Sequence, residues 1–274
     1  MKISVLIDNS ASQDHPELEA EHGLSFFIEQ GNTRILCDMG VSSAFSDNAE
    51  KMGIDLQSAD WAFVSHGHRD HSGGLEMYLR SCRGEVWLSR HVFGHRFYSL
   101  RHTDKREIST APQLEKEFSS RFRYLDGSQY ICEGIAAVQT TAHPYAQPYG
   151  NRFLTATENN RETADCFNHE YALCFLSDDG LTIVSSCSHH GAMNIIEACR
   201  RFTGIEKVKA FVGGLHFVDS DETEKEVQQF LHDKQQAAPE TIFYTGHCTS
   251  DKAKRLLAQC PEILFFHTGT IINL

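Results

Sequence analysis

Four side chains able to bind a metal crowd into six positions in Ser65-His66-Gly67-His68-Arg69-Asp70-His71-Ser72-Gly73-Gly74, directly after the apolar run Trp61-Ala62-Phe63-Val64. His66 and His68 are two apart and Asp70 and His71 adjacent, whereas neighbours on a helix face lie three or four apart. The spacing predicts a loop leaving a strand, wrapped so that imidazoles and carboxylate converge. Neutral imidazole with carboxylate suits zinc, and also iron or manganese. The chain holds 16 histidines, so surface-loop histidines are the competing reading; a motif with a mechanism at the end of one strand outweighs it.

A catalytic metal site draws ligands from more than one segment and keeps a position open. His189, in Ser186-Cys187-Ser188-His189-His190-Gly191, and His247, in Thr245-Gly246-His247-Cys248-Thr249, each lie between a predicted strand and a predicted helix and are read as ligands. His216, in Gly213-Gly214-Leu215-His216-Phe217, also follows a strand and is read as a substrate contact or a support for the ligands. His143, in Ala142-His143-Pro144-Tyr145, is read equally well as a surface turn. His22 and His267 carry no spacing signal, and Cys248 is read as a small packed thiol.

The elements that must position these groups follow from apolar runs and turn residues. Ile3 to Ile7 reads as a strand, and residues 24–29 and 34–38 as a hairpin turning through Gln30-Gly31-Asn32. Asn48 to Met52 reads as a short helix closed by Gly53, and Asp60 to Ser65 as the strand that delivers the histidine loop. Gly73 to Ser81 reads as a helix, Glu85 to Leu88 as a strand and His91 to Leu100 as another helical piece. Residues 101–125 show no clean period and carry a net basic cluster that includes Lys105 and Arg106. They read as a lid over an anionic substrate.

In the second half, Ile131 to Gln139 reads as a strand, and residues 172–176 and 181–185 as a hairpin over Ser177-Asp178-Asp179-Gly180. Ala192 to Phe202 reads as a helix ended by Gly204. A strand over 208–212, a helix over 221–236, a strand over 241–244, a helix over 251–259 and strands at 263–266 and 271–272 complete the chain. No linker separates the halves, so residues 1–274 read as a single α/β domain.

Composition sets the frame. The formal net charge of −12 argues against nucleic acid as partner, because phosphate binding is driven by basic surface. No run approaches the roughly 18 apolar residues that span a bilayer, and the amino terminus lacks the apolar core of a secretory signal. Nine cysteines without a Cys-x-x-Cys pair read as reduced thiols, which points to a cytoplasmic location.

The histidine loop resembles the signature of the metallo-β-lactamase-fold superfamily. Taken in order, Asp8-Asn9, Glu21-His22-Gly23-Leu24-Ser25, Asp38-Met39-Gly40, Asn48-Ala49, Gly53-Ile54-Asp55, Ser65-His66-Gly67-His68, Cys187-Ser188-His189, Gly213-Gly214-Leu215-His216 and Gly246-His247-Cys248-Thr249 are similar to one branch of it. That branch includes the dihydropterin-ribofuranosylaminobenzene phosphate synthase of methanopterin biosynthesis. The resemblance implies a metallo-β-lactamase-like αββα four-layer sandwich with its metal site at one edge. Met39 and Ser250 stand where the branch usually has Thr and Gly. Many two-metal members place a bridging Asp after the strand corresponding to 181–185, where this chain offers His189.

Function follows as a set of expectations. His66, His68 and His189 are assigned to one metal, and Asp70, His71 and His247 to a second, the ions being Zn2+ with Mn2+ or Fe2+ as alternatives. Asp70 doubles as a catalytic group that orients a metal-bound hydroxide, and Asp38 fixes the histidine loop from behind. His216, Lys105 and Arg106 would meet the substrate. The expected activity is hydrolysis of a small anionic ester, a phosphoester foremost. The alternatives are a pterin-type transferase releasing diphosphate and a catalytically silent metal- or ligand-binding protein.

Overall fold

The computed structural model describes residues 1–101, 104–158 and 161–274. The chain forms two compact units. One comprises Met1–Asp126, Phe153–His169 and Phe266–Leu274, the other Gly127–Arg152 and Glu170–Phe265.

The first unit is built on a sheet of seven strands in the order Ile271–Asn273, Lys2–Ile7, Ser25–Gln30, Thr33–Cys37, Trp61–Val64, Glu85–Ser89 and Phe122–Leu125. The first pairings are antiparallel, including the expected hairpin, whose Gln30↔Thr33 pair leaves a turn with Gly31 at φ +57°. From Thr33–Cys37 onward the strands run parallel. Alternate side chains Leu36, Ala62, Val64, Val86 and Leu88 pack on the helices Ala44–Lys51 and Leu75–Ser81 through Phe45, Ala49, Leu75, Tyr78 and Leu79.

The helix expected from Asn48 begins four residues earlier, at Ala44. Asn48 is an interior residue of that helix, fully buried, and its amide donates to the Leu6 and Glu19 carbonyls at 2.8 and 2.7 Å. The helical piece expected over 91–100 is a turn, His91–Gly94, followed by a strand, Arg96–Ser99. That strand joins an antiparallel sheet in the order Arg161–Ala164, Leu154–Glu158, Arg96–Ser99 and Arg106–Glu107. Residues 101–125 lack a period because they hold several short pieces: Arg106–Glu107, the helix Gln113–Glu117, the 3-10 turn Ser119–Arg121 and Phe122–Leu125. His102 and Thr103 of that stretch lie outside the described residues.

The second unit carries another seven-stranded sheet, ordered Ile263–Phe265, Ile242–Thr245, Val208–Val212, Gly180–Val184, Tyr171–Ser177, Ile135–Gln139 and Gln129–Cys132. The first four run parallel and the remaining pairings are antiparallel. Gly134, at φ +73°, splits the strand expected over 131–139 into a hairpin. Helices Ala192–Thr203, Thr223–Ala237 and Asp251–Leu257 cover the apolar face through Ile195, Ile196, Cys199, Val227, Phe230 and Leu257. No helix among the described residues is long and apolar enough to cross a membrane.

The helix Ala192–Thr203 ends as expected, with Gly204 left-handed at φ +73° and its N–H bonded to the Arg200 carbonyl. A Cβ on Gly204 would meet nothing within 4 Å, so a substitution there tests backbone strain alone. Gly204→Ala is expected to lower unfolding stability by about 1 kcal/mol in a urea titration, with folding retained.

Candidate metal centre

In the first unit the register Cys37↔Phe63 places the carboxyl ends of two parallel strands side by side, the usual position of ligand sites in open α/β sheets. One end delivers Asp38, the other Ser65 to His71. Asp38 is fully buried and left-handed, at φ +57°. Its Oδ1 accepts the Ser65 N–H at 2.8 Å, and its Oδ2 accepts the Ser65 hydroxyl at 2.7 Å and His71 Nδ1 at 2.8 Å. Ser65 Oγ also lies 2.8 Å from His66 Nδ1.

This network assigns the tautomers. A carboxylate only accepts, so His71 carries its proton on Nδ1. Ser65 gives its one proton to Asp38 and therefore accepts from His66 Nδ1. Nε2 is then the lone-pair nitrogen of both rings, the form in which imidazole binds a metal. The rings of His66 and His71 lie 4.2 Å apart between centroids, and those of His66 and His68 4.6 Å. Ligand atoms of His66 and His68, of His66 and His71, and of Asp70 and His71 approach within 4.8 Å pairwise.

Asp70 and His71 are not in an open loop, as the spacing predicts, but on one helical turn, Arg69–Ser72. The His68 carbonyl accepts the N–H groups of His71 and Ser72, each at 3.1 Å, and closes that turn. Asp70 Oδ2 lies 3.6 Å from His71 Nε2 and 3.4 Å from the exposed His22.

His68 is held by two residues that the sequence reading passed over. Its Nε2 lies 3.5 Å from Asp165 Oδ2. His169 Nδ1 accepts the Gly67 N–H at 2.9 Å, which leaves the proton on Nε2, 3.1 Å from Asp165 Oδ2. Burial pushes the Asp165 carboxyl up, but the ring of His169 and hydrogen bonds from His169 and His68 outweigh it and hold it well below the usual carboxylate range. Nothing in the periodicity of 140–170 marks this pair, because Asp165 and His169 follow the short exposed strand Arg161–Ala164.

The segment expected to be a lid is a wall of the histidine loop. Arg69 N–H donates to the Ile108 carbonyl at 2.7 Å, Thr110 N–H to the Gly67 carbonyl at 3.1 Å, and Ser72 and Thr110 share a hydroxyl bond at 2.7 Å. Lys105 pairs with Glu162 and sits 3.9 Å over the Tyr98 ring. Arg106 is exposed on its strand.

In the second unit the parallel strands likewise end at the expected histidines. His189, His216 and His247 are all buried. Asn151 Nδ2 donates to the His189 carbonyl at 2.7 Å, which turns Asn151 Oδ1 towards His189 Nδ1 at 3.2 Å. The His189 proton is therefore on Nδ1. The buried carboxylate of Glu170 accepts the N–H groups of His189 and His190 at 2.8 and 3.0 Å. The rings of His189 and His216 lie 4.2 Å apart. His143 bonds His190 at 2.8 Å, and burial holds its pKa below the ordinary value.

These sheets and strand-end histidines define a metallo-β-lactamase-fold protein. A model of the metallo-β-lactamase superfamily matches residues 18–146. The chain is 27% identical, over 100% of its own length and 96% of the relative's, to the 7,8-dihydropterin-6-methyl-4-(β-D-ribofuranosyl)-aminobenzene-5′-phosphate synthase of Methanocaldococcus jannaschii. It superposes with a TM-score of 0.83 and 25% identity on a solved metal-dependent hydrolase of the β-lactamase superfamily, covering 100% of this chain and 99% of that one. A metallo-β-lactamase-fold protein from Bacillus subtilis, 13% identical with a TM-score of 0.56, shares the fold over 99% of each chain.

The fold generally binds metal ions, and the donor set fits one: buried neutral imidazoles whose Nδ1–H groups are occupied by oxygen, with a carboxylate beside them. Asp38→Asn is expected to weaken metal binding about 10–100-fold in a chelator competition, since the amide leaves a donor facing a donor whichever way it turns. Unchanged affinity in the folded variant would show that Asp38 does not orient the rings.

Proposed function

We propose that the chain is a metal-dependent hydrolase of a small anionic ester, with a phosphoester as substrate. The observation that carries this reading is the Asp38 network, which presents Nε2 of two buried histidines in their ligand tautomer. The proposed ligands are His66, His68, Asp70, His71, His189 and His247. The proposed cofactor is two zinc ions, with Mn2+ or Fe2+ as alternatives. Bound ions of this kind lower the pKa of a water towards neutrality and stabilise the charge that develops on attack. Asp70 would orient the attacking water through its carboxylate, His216 would contact the substrate, and Arg106, with Lys105 behind it, would attract the anion.

A second reading is favoured by the full-length similarity to the methanopterin-pathway synthase. In it the same residues would hold metal ions that bind the diphosphate leaving group of a pterin-like substrate while an arene carbon attacks the methylene.

The double variant His66→Ala, His68→Ala is expected to hold less metal than the wild type by elemental analysis and to lose all turnover of a panel of esters, thioesters and phosphodiesters, while keeping its circular-dichroism spectrum. A metal content equal to the wild type's in that variant would sink the proposed ligands. Diphosphate release on mixing pterin-type and arylamine substrates, without hydrolysis of the panel, selects the transferase. No turnover in either assay would eliminate both activities and leave a binding protein. Arg106→Glu is expected to raise KM for an anionic substrate with kcat unchanged, and an unchanged KM would remove Arg106 from the substrate path.

A further inference from the structure

The second unit holds a cluster of two cysteines that neither reading uses and one histidine, His216, that the hydrolytic reading sets against the substrate. Sγ of Cys187, a ring nitrogen of His216 and Sγ of Cys248 lie within 4.8 Å of one another. Both cysteines are thiols rather than half-cystines. Each residue occupies the loop after a different parallel strand, Gly180–Val184, Val208–Val212 or Ile242–Thr245. Three loops therefore converge on one point, and two of them bring sulfur to it.

The backbone is held out of its ordinary conformations at all three places. Among the described residues only five non-glycine residues have positive φ: Asp38, Phe167, Ser188, His216 and His247. The last three are the neighbour of Cys187, a member of the cluster, and the neighbour of Cys248. Left-handed non-glycine residues cost of order 1–3 kcal/mol each and persist where the surrounding structure fixes a functional geometry. Two further features fit the backbone closely around Cys248. A Cβ on Gly214 would lie 2.4 Å from its Sγ, and the His216 N–H donates to that Sγ at 3.2 Å.

We propose that Cys187, His216 and Cys248 form a thiolate-containing site for a soft divalent cation, with zinc as its ordinary occupant. Two thiolates and an imidazole with a fourth position open is an established zinc arrangement, and sulfur selects zinc over magnesium, calcium or manganese. Cys248 Sγ now lies 3.6 Å from the Cys187 carbonyl. Loading replaces each S–H bond by a metal–sulfur bond and releases each proton to solvent. The site borders the imidazole of His189, whose ring lies 4.2 Å from that of His216 and is tilted 57° to it. It gives His216 a ligand role in place of a substrate contact, and it holds whatever the substrate.

The test is cobalt titration of the metal-free full chain under reducing conditions, read by absorption. The expected result is a near-ultraviolet sulfur-to-cobalt charge-transfer band that saturates with added metal. The band should fall in Cys187→Ser and in Cys248→Ser and vanish in the double variant, while persisting in Cys132→Ser, an exposed cysteine elsewhere. Cobalt that binds with only nitrogen and oxygen spectra, or a band that survives the double variant, overturns the proposal and leaves the histidine-ligand reading standing. X-ray absorption of the zinc-loaded wild-type protein needs no variant. Sulfur at about 2.3 Å supports the site, and a shell of nitrogen and oxygen alone at about 2.0–2.2 Å refutes it.

Discussion

The histidine loop depends on one buried carboxylate. Asp38 lies at the end of a parallel strand, inaccessible to solvent and in a left-handed conformation. A charge in that position is costly unless its oxygens are satisfied, and here three donors satisfy them, all from Ser65 and His71. The strain is held by main-chain bonds on either side: Asp38 N–H to the Phe63 carbonyl at 2.9 Å and Met39 N–H to the His71 carbonyl at 2.8 Å. Strand order, loop path and imidazole tautomer are thus one linked arrangement. A change to any of its parts would leave a buried charge or a buried donor without its partner.

The second unit solves the same problem with different chemistry. Its histidines also follow parallel strands, but His189 is fixed through its main chain by a carboxylate and at its ring by a neutral amide. Glu170 holds the backbone of His189 and His190, and Asn151 sets the His189 tautomer. Left-handed residues again mark the loops, at Ser188, His216 and His247. Among the described residues, three of the five left-handed non-glycine residues lie on the loops that carry candidate ligands, which is where strain is retained when geometry is worth more than stability.

The fold was legible where a single physical rule governs a segment. Apolar runs between turn residues located most strands of both large sheets, Phe122–Leu125 excepted, and the glycines at 31 and 204 marked a hairpin and a helix end. The reading faltered where tertiary contacts override local pattern. Asn48 looks like a helix start because it is polar, yet it is buried in mid-helix and bonded to two carbonyls. The stretch 101–125 looks irregular because its strands are too short to show a period. Asp38 was found through its position after a strand and its resemblance to a known pattern. Asp165 and His169 had neither, since they act on a ring that lies about a hundred positions earlier in the chain and leave no spacing for the eye to find.

That omission bears on how His66 and His68 act together. His66 is engaged through Nδ1 by Ser65, whereas His68 is approached at Nε2 by Asp165. The two rings therefore meet oxygen at opposite nitrogens, His66 at Nδ1 through a hydrogen bond and His68 at Nε2 across 3.5 Å. The rings, only two residues apart in the chain, do not stack: their planes are 79° apart. His-x-His is thus more than a pair of ligands at short spacing. Its geometry depends on two unlike supports, a serine that passes on the demand of a buried aspartate and an aspartate clamped by a third histidine, and the second of these is supplied by a part of the chain in which no motif is visible.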